Sequence, residues 1–518
     1  MAGRLPHGFR AFALVFVLLA ALVAAGCGSS GSTSGSTGLG PDPATLAPAG
    51  AALYGQVVVR PSGDMKAGVE AAMRKVLRTQ DPGAALRRLL DKVFRSDHVV
   101  FSRDVEPWLG KRGGGFLLMP AATGGKPDGA IALAIADRGK FDAALPRLRS
   151  ASHEQLAGSY RGIDYYRDGT DRTSYDAPVG DFYVGGTLAG LRAAIDVSKG
   201  GASLAADTRF KGAMSSMPSD ALASFYADPR AIAAGVHPTS TAGRNAVARY
   251  GQARPVVASL TATSDQIALQ ATADTTLTGA LGGGSNAQVS VGQLPADSWL
   301  ALATPPLGPL VKQALDTAGV HAMVAAEVRS RTGLDLDKDL LDPLGELALF
   351  VRGGSPLDIG GGVLLQLTDA AAAQRLLTRI EAIVAGGAHL APRPVTLGGA
   401  RGFQLAVPQS PQPIVVLAQG AKLAAGYAAS SAQDLLHPQQ RFDQSADGKA
   451  AIATLGDGYT ASFVLLVPQL AGLLHALDEL QVIHVSSVLP YLGAYRSLAI
   501  GTKHDGDRTS VRVVAALR

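Results

Sequence analysis

The chain has 518 residues, 47% of them hydrophobic and 17% charged, with a formal net charge of +5. That length exceeds one ordinary core, so two or more domains are expected, and the apolar content excludes an intrinsically disordered chain. Arg4 and Arg10 add to the charge and no acid precedes residue 27, so the remainder carries only about +3, too little to argue for nucleic acid. Aromatic residues make up only 5%, which disfavours the stacking surfaces that hold sugars and single strands.

In chain order, Arg4 and Arg10 precede an uncharged apolar run, Ala11 to Gly26, that closes on Cys27, the one cysteine. A charged start, an apolar middle and small residues before a cut make a secretory signal. The run is about 16 residues, short for a bilayer span of about 20. Val23-Ala24-Ala25-Gly26-Cys27 resembles the lipobox of bacterial lipoproteins, with Ala24 where leucine is commonest. The resemblance implies a diacylglyceryl thioether on Cys27 and cleavage just before it. Residues 1–26 are then the signal peptide, and residues 27–45 a lipidated cysteine with a flexible Gly/Ser/Thr tether. The expected location is outside the cytoplasm, at the outer face of the cell membrane. With Cys27 acylated no disulfide can form, so the fold must hold by its cores alone.

The rest of the chain reads as two tandem repeats of about 235–240 residues. Asp104-Val-Glu-Pro-Trp-Leu-Gly110 matches Asp339-Leu-Leu-Asp-Pro-Leu-Gly345. Further matches in the same order are the strands ending at Asp137 and Asp369, Arg161-Gly162-Ile163 with Arg401-Gly402-Phe403, and Ala223-Ser224-Phe225 with Ala461-Ser462-Phe463. Closing strand pairs turn at Ser264-Asp265 and His504-Asp505. These set repeat domain 1 at 46–274, a linker at 275–293 and repeat domain 2 at 294–518. Each repeat opens with a strand (Ala51–Val59; Ser298–Ala303) that leads into helices. Leu86, Leu89, Leu90, Val93 and Phe94 recur at helical spacing, as do Leu376, Leu377, Ile380, Ile383 and Val384 in a later helix. Pro146 should kink or shorten the counterpart of that later helix. Mixed hairpins and helices predict an α+β fold, each repeat a largely antiparallel sheet with packed helices. Between Lys66 and Arg95 lie eight cations, either a face for anionic headgroups near the tether or a solvated helix face.

The lipobox, the duplication and the Asp-x-x-Pro-x-Leu-Gly element resemble a family of exported bacterial proteins. That family is known as a domain of unknown function in actinobacterial and cyanobacterial lipoproteins. The resemblance covers most of the chain after the tether and implies no activity and no site residues.

Catalytic motifs fail on inspection. Gly125-Lys126 is followed by Pro127, which spoils a phosphate loop, and His153-Glu154 lacks the second histidine of a zinc helix because Ala157 stands there. The metal candidate is the acidic segment with Asp335, Asp337, Asp339 and Glu346, which fall at positions 1, 3, 5 and 12 of a calcium loop. Leu340 stands where the sharp turn needs glycine, so the segment reads instead as a structural turn. Tyr160, Tyr165, Tyr166, Tyr175, Phe182 and Tyr183 either line a ligand pocket or pack strands and core. No cofactor is expected and no catalytic residue is identified. The favoured function is a membrane-anchored, non-enzymatic binding or scaffold protein of the cell envelope, its partner a protein, the cell wall or lipid. The alternatives are a carrier of lipid or another hydrophobic ligand, and a hydrolase whose site forms only in three dimensions.

Overall fold

The computed structural model describes residues 38–95, 98–120, 125–278, 289–355, 358–387, 391–408 and 410–518. The expected signal peptide, Cys27 and the tether as far as residue 37 lie outside the described residues. So does the middle of the expected linker. The chain divides into two compact units between Leu277 and Thr278.

The first unit is built on ten strands. They are β1 (Leu53–Val58), β2 (Leu109–Leu118), β3 (Asp128–Ile135), β4 (Gln155–Tyr160), β5 (Ile163–Arg167), β6 (Tyr175–Val179), β7 (Phe182–Gly186), β8 (Ala223–Ala227), β9 (Val256–Ala262) and β10 (Gln266–Asp274). They pair in the order β4-β5-β6-β7-β3-β2-β1-β8-β9-β10, and every neighbour is antiparallel. Helices α1 (Gly63–Leu77) and α2 (Pro82–Phe94) follow β1, and α3 (Arg138–Ala151) joins β3 to β4. Helices α4 (Leu188–Ser198) and α5 (Thr208–Met214) join β7 to β8, and α6 (Pro229–Ala234) and α7 (Thr241–Tyr250) join β8 to β9.

Antiparallel sheets commonly wet one face, but β3 is buried on both, which explains its unbroken apolar run. Ala130, Ala132 and Ala134 share one core with Leu191, Ala194 and Ile195 of α4. Ile131, Leu133 and Ile135 face the opposite way, into a core with Leu90 of α2 and Phe141 and Ala144 of α3. The small residues decide which helix comes close. A Cβ on Gly190 of α4 would lie 2.1 Å from the Gly129 carbonyl oxygen, so glycine is what lets α4 touch the sheet. Asp137 closes β3 and caps α3, accepting from the Lys140 amide at 3.0 Å.

The second unit contains β11 (Ser298–Ala303), α8 (Leu307–Ala318), α9 (His321–Thr332), β12 (Leu344–Arg352), β13 (Gly360–Leu367) and α10 (Ala370–Gly387). Four strands follow, β14 (Arg393–Leu397), β15 (Ala400–Leu405), β16 (Ile414–Gln419) and β17 (Lys422–Tyr427), then α11 (Ala429–Leu436) and α12 (Ala446–Ala453). It ends with β18 (Thr460–Leu466), α13 (Val467–Glu479), α14 (Leu489–Leu492), β19 (Tyr495–Asp505) and β20 (Arg508–Leu517). The strand order is β14-β15-β16-β17-β13-β12-β11-β18-β19-β20, again antiparallel throughout. On one face Leu377 of α10 packs with Leu367, Phe403, Val416 and Leu423. Close approach of α11 again uses glycine, since a Cβ on Gly426 would meet the Ala432 amide nitrogen at 2.4 Å. Asp369 caps α10 by accepting from the Ala372 amide at 2.7 Å, as Asp137 does in α3. Both units are therefore mixed helix and antiparallel sheet, an α+β fold.

Several local expectations shift. Leu89 and Ile383, placed on apolar helix faces by their spacing, are exposed. Arg161 and Gly162 form the β4–β5 turn, whereas Arg401-Gly402-Phe403 lies inside β15, whose own turn is Gly398-Gly399. The last hairpin turns at Gly506-Asp507 rather than at His504-Asp505, because β19 runs through Asp505 and Gly506 supplies the positive φ of 58°. Helix α3 continues through Pro146 but, at 14 residues against 18 for α10, is the shorter of the two, as expected.

Candidate functional site

Two hairpins and one helix end bring together the most unusual polar group in the first unit. In β6, Asp176 lies opposite Tyr166 of β5 on one side and Gly185 of β7 on the other. The strand pleat turns Asp176 into the layer under α3 rather than to solvent, and it is 8% exposed. The Tyr183 hydroxyl donates to Asp176 Oδ1 at 2.9 Å. Just past α3, His153 takes a left-handed φ of 51°, which carries Glu154 inward to leave its side chain 6% exposed. The two buried carboxyls are close enough to act on one another electrostatically, and burial disfavours the charge on each.

Burial, reinforced by the neighbouring Asp176 charge, raises Glu154 to about 8. Burial likewise raises Asp176 to about 7, against the hydrogen bond from Tyr183, while Tyr183 itself is pushed well above 10. Arg149 of α3 is the nearby cation. Its guanidinium lies 3.4 Å over the Tyr166 ring, and its Nε sits 3.7 Å from Glu154 Oε2, beyond hydrogen-bond reach. Glu154 Oε2 is buried without a hydrogen-bond partner, and so is Oδ2 of Asp171, a residue 9% exposed.

The loop from Asp168 to Ser174 closes over this end of the sheet. Its Gly169 amide donates to the Ser152 carbonyl at 3.0 Å. Asp168 Oδ1 accepts from the Thr170 and Asp171 amides, and Asp171 Oδ1 accepts from the Thr173 amide. Two carboxyls whose burial favours the protonated form therefore lie beneath one hydrogen-bonded loop.

The second unit places apolar residues at the matching positions. The hairpin β6–β7 turns at Gly180-Asp181 and β16–β17 at Gly420-Ala421, with φ of 56° and 54° at the two glycines. Counted from these turns, Asp176 corresponds to Val416 and Tyr183 to Leu423. Phe403, opposite Val416, corresponds to Tyr166. All three apolar residues belong to the core under α10. A sheet of this strand order therefore packs without the acid pair, and a buried polar cluster is rarely more stabilising than such an apolar core.

The other residues singled out in the sequence take structural positions. Asp104 is buried within a π-helical turn, Phe101–Val105, and its Oδ2 accepts from the Val100 amide at 2.9 Å. Arg103 and Arg147 flank it, and the Arg103 hydrogen bond holds its carboxyl below the usual range. Asp339 repeats the device in the turn Leu336–Leu341, accepting from the Asp335 amide at 2.8 Å. Asp335 caps that turn, accepting from the Asp337 and Lys338 amides, and Asp337 meets His321 Nε2 at 3.1 Å and Lys312 Nζ at 3.4 Å. Glu346 is buried in β12. Among the described residues no group of three or more metal-type side chains converges. Of the aromatic group, Tyr165, Phe182 and Tyr183 are core, and the Tyr160 hydroxyl donates to Asp196 at 3.1 Å.

Spacing alone does not mark Glu154 and Asp176. His153-Glu154 drew notice only as a failed zinc motif. Nor does alternation single out Asp176, since Tyr175, Ala177 and Val179 form the apolar set of β6 and leave position 176 to read as a solvent-facing residue.

No functionally curated protein matches the chain. Among solved structures, crystal form IV of TP0453 aligns at 13% identity over 46% of this chain and 83% of that one, with a TM-score of 0.26. Crystal form III aligns at 11% identity over 76% and 98%, with a TM-score of 0.20. Neither likeness is close enough to carry an argument about fold or function. Over residues 11–517 the sequence matches a family of proteins of unknown function, DUF3352, and the chain belongs to that family.

Proposed function

We propose that this protein is an exported lipoprotein of the bacterial cell envelope, acylated at Cys27 and held by that lipid at the outer face of the cell membrane. The observation that carries the reading is the order of parts at the N-terminus. Arg4 and Arg10, the apolar run from Ala11, the lipobox-like Val23 to Cys27 and a Gly/Ser/Thr tether follow one another without interruption. Among the described residues no helix is long and apolar enough to cross a membrane.

The two units descend, in this reading, from an internal duplication of about 235–240 residues. Their common strand order supports it, as do the matched caps at Asp104 and Asp339 and at Asp137 and Asp369. The role favoured is binding or scaffolding of an envelope partner rather than catalysis. The strongest acid pair lies nine-tenths buried beneath a hydrogen-bonded loop, where a substrate has no described access. Fractionation tests the reading. Cys27→Ser should move the protein from the membrane pellet to the soluble fraction. Retention of the variant in membranes after a high-salt wash would place the anchor elsewhere.

A further inference from the structure

We infer that the outer face of α2 is a contact surface for anionic lipid headgroups, which lays the first unit on the membrane that holds it. The inference rests on the proposed anchoring at Cys27 for its geometry. Arg88, Lys92 and Arg95 are exposed and spaced i, i+4, i+7, so they form one stripe along the helix. None of the three makes an ion pair among the described residues. The acids on the same helix are turned away from that stripe. Asp91 accepts from the Ser102 amide at 2.8 Å and from its hydroxyl at 2.9 Å, and Asp81 caps α2 through the Ala84 amide at 2.8 Å. Glu106 is engaged by Arg87 at 2.9 Å. Charge of one sign is therefore left uncompensated on the outside, with the exposed Leu89 beside it.

The tether ends at the same end of this unit. The Gly38 carbonyl accepts from Lys111 and the Gly40 carbonyl from Arg112, at the start of β2. The Lys111 carbonyl accepts from the Arg60 amide at 3.3 Å, Arg60 donates to the Glu106 carbonyl, and Glu106 binds Arg87 on α2. A continuous run of contacts thus leads from the end of the tether to the residue next to Arg88. Cys27 precedes Gly38 by 11 residues, a separation that no chain of that length can extend beyond about 40 Å. An acylated Cys27 therefore holds Gly38, and through these contacts the unit that carries α2, close to the membrane. Attraction to an anionic surface acts over about 8 Å at physiological salt, so the tether supplies the approach and the stripe the contact.

The test uses the chain from Gly28 to Arg518, which carries no lipid, so its result is independent of acylation. It is floated with vesicles of phosphatidylcholine alone and with vesicles that contain about a third phosphatidylglycerol, in low and in high salt. Expected is co-flotation with the anionic vesicles at low salt, its loss at high salt, and none with the neutral vesicles. Arg88→Gln with Lys92→Gln should weaken the partition about 30-fold, from roughly fivefold per cation near an anionic surface. Lys211→Gln, an exposed lysine on α5, should leave it unchanged. Absence of flotation, equal flotation on neutral vesicles, or flotation that the double variant does not weaken would each overturn the inference. Failure of the Cys27 anchor would appear separately, as membrane retention of Cys27→Ser.

Discussion

Glu154→Gln should stabilise the first unit at neutral pH and leave it unchanged in acid. The carboxyl titrates at about 8 when folded and at about 4.3 in an unfolded chain. Below the unfolded value both states hold the proton, and Glu154 has no effect on stability. As pH rises from there toward the folded value, the unfolded chain releases a proton that the folded unit keeps, so stability falls by up to ~1.4 kcal/mol per pH unit. At pH 7 the accumulated penalty is roughly 2–4 kcal/mol, and glutamine, which carries no charge, removes it. For a unit of this size that corresponds to a melting point higher by roughly 5–10 °C. Trp108 is the probe, since it is buried with its ring 5.0 Å from Phe141 and 6.2 Å from Tyr183. Trp299, in the second unit, is the other of two tryptophans and is replaced by phenylalanine in both proteins compared. The gap between Glu154→Gln and its parent should open steadily from pH 4 to pH 8. A gap that stays constant over that range, or a variant less stable at pH 7, would refute the assignment of a buried proton to this pair.

Asp104→Ala should lower the stability of the first unit by about 2 kcal/mol, because it removes a buried carboxylate and its charge-assisted hydrogen bond from the Val100 amide, while its two arginine partners are exposed and stay solvated. Asp339→Ala removes the matching cap at an exposed position and should cost about 1 kcal/mol, so denaturant midpoints of the two variants separate the roles. Gly190→Ala should destabilise by about 2–4 kcal/mol in thermal melts, although alanine is the better helix former, since its Cβ would lie 2.1 Å from a backbone oxygen. Millimolar calcium should leave the melting of the second unit unchanged. A site with a dissociation constant near 10 μM would instead add about 2.7 kcal/mol, and a shift of that kind abolished by Asp337→Asn would make the acidic turn a metal site.

Much of the fold was readable because its signals are local. The strand before Asp137 is apolar from Ala130 to Ile135, and the cap that follows is a side-chain property of one residue. The Asp104 and Asp339 segments match because a buried or capping carboxylate fixes the turn before β2 and β12. Helical spacing placed Leu376, Leu377, Ile380 and Val384 on the packed face correctly, yet it misplaced Ile383, which is exposed. The turns that shifted did so because glycine fixes hairpin position through φ, and Gly506 outranks the polar His504-Asp505 pair. The acid pair was not readable. Its partners come from α3, β6 and β7, and only the fold brings Glu154 onto Asp176.

The central claim is the lipid on Cys27, and the mass of the N-terminal peptide of the mature protein tests it most directly. The account predicts a peptide that begins at Cys27 and carries a diacylglyceryl group through its sulfur, in protein purified from membranes. A mature chain that begins at another residue, or an N-terminal peptide with Cys27 present and unmodified, would contradict it.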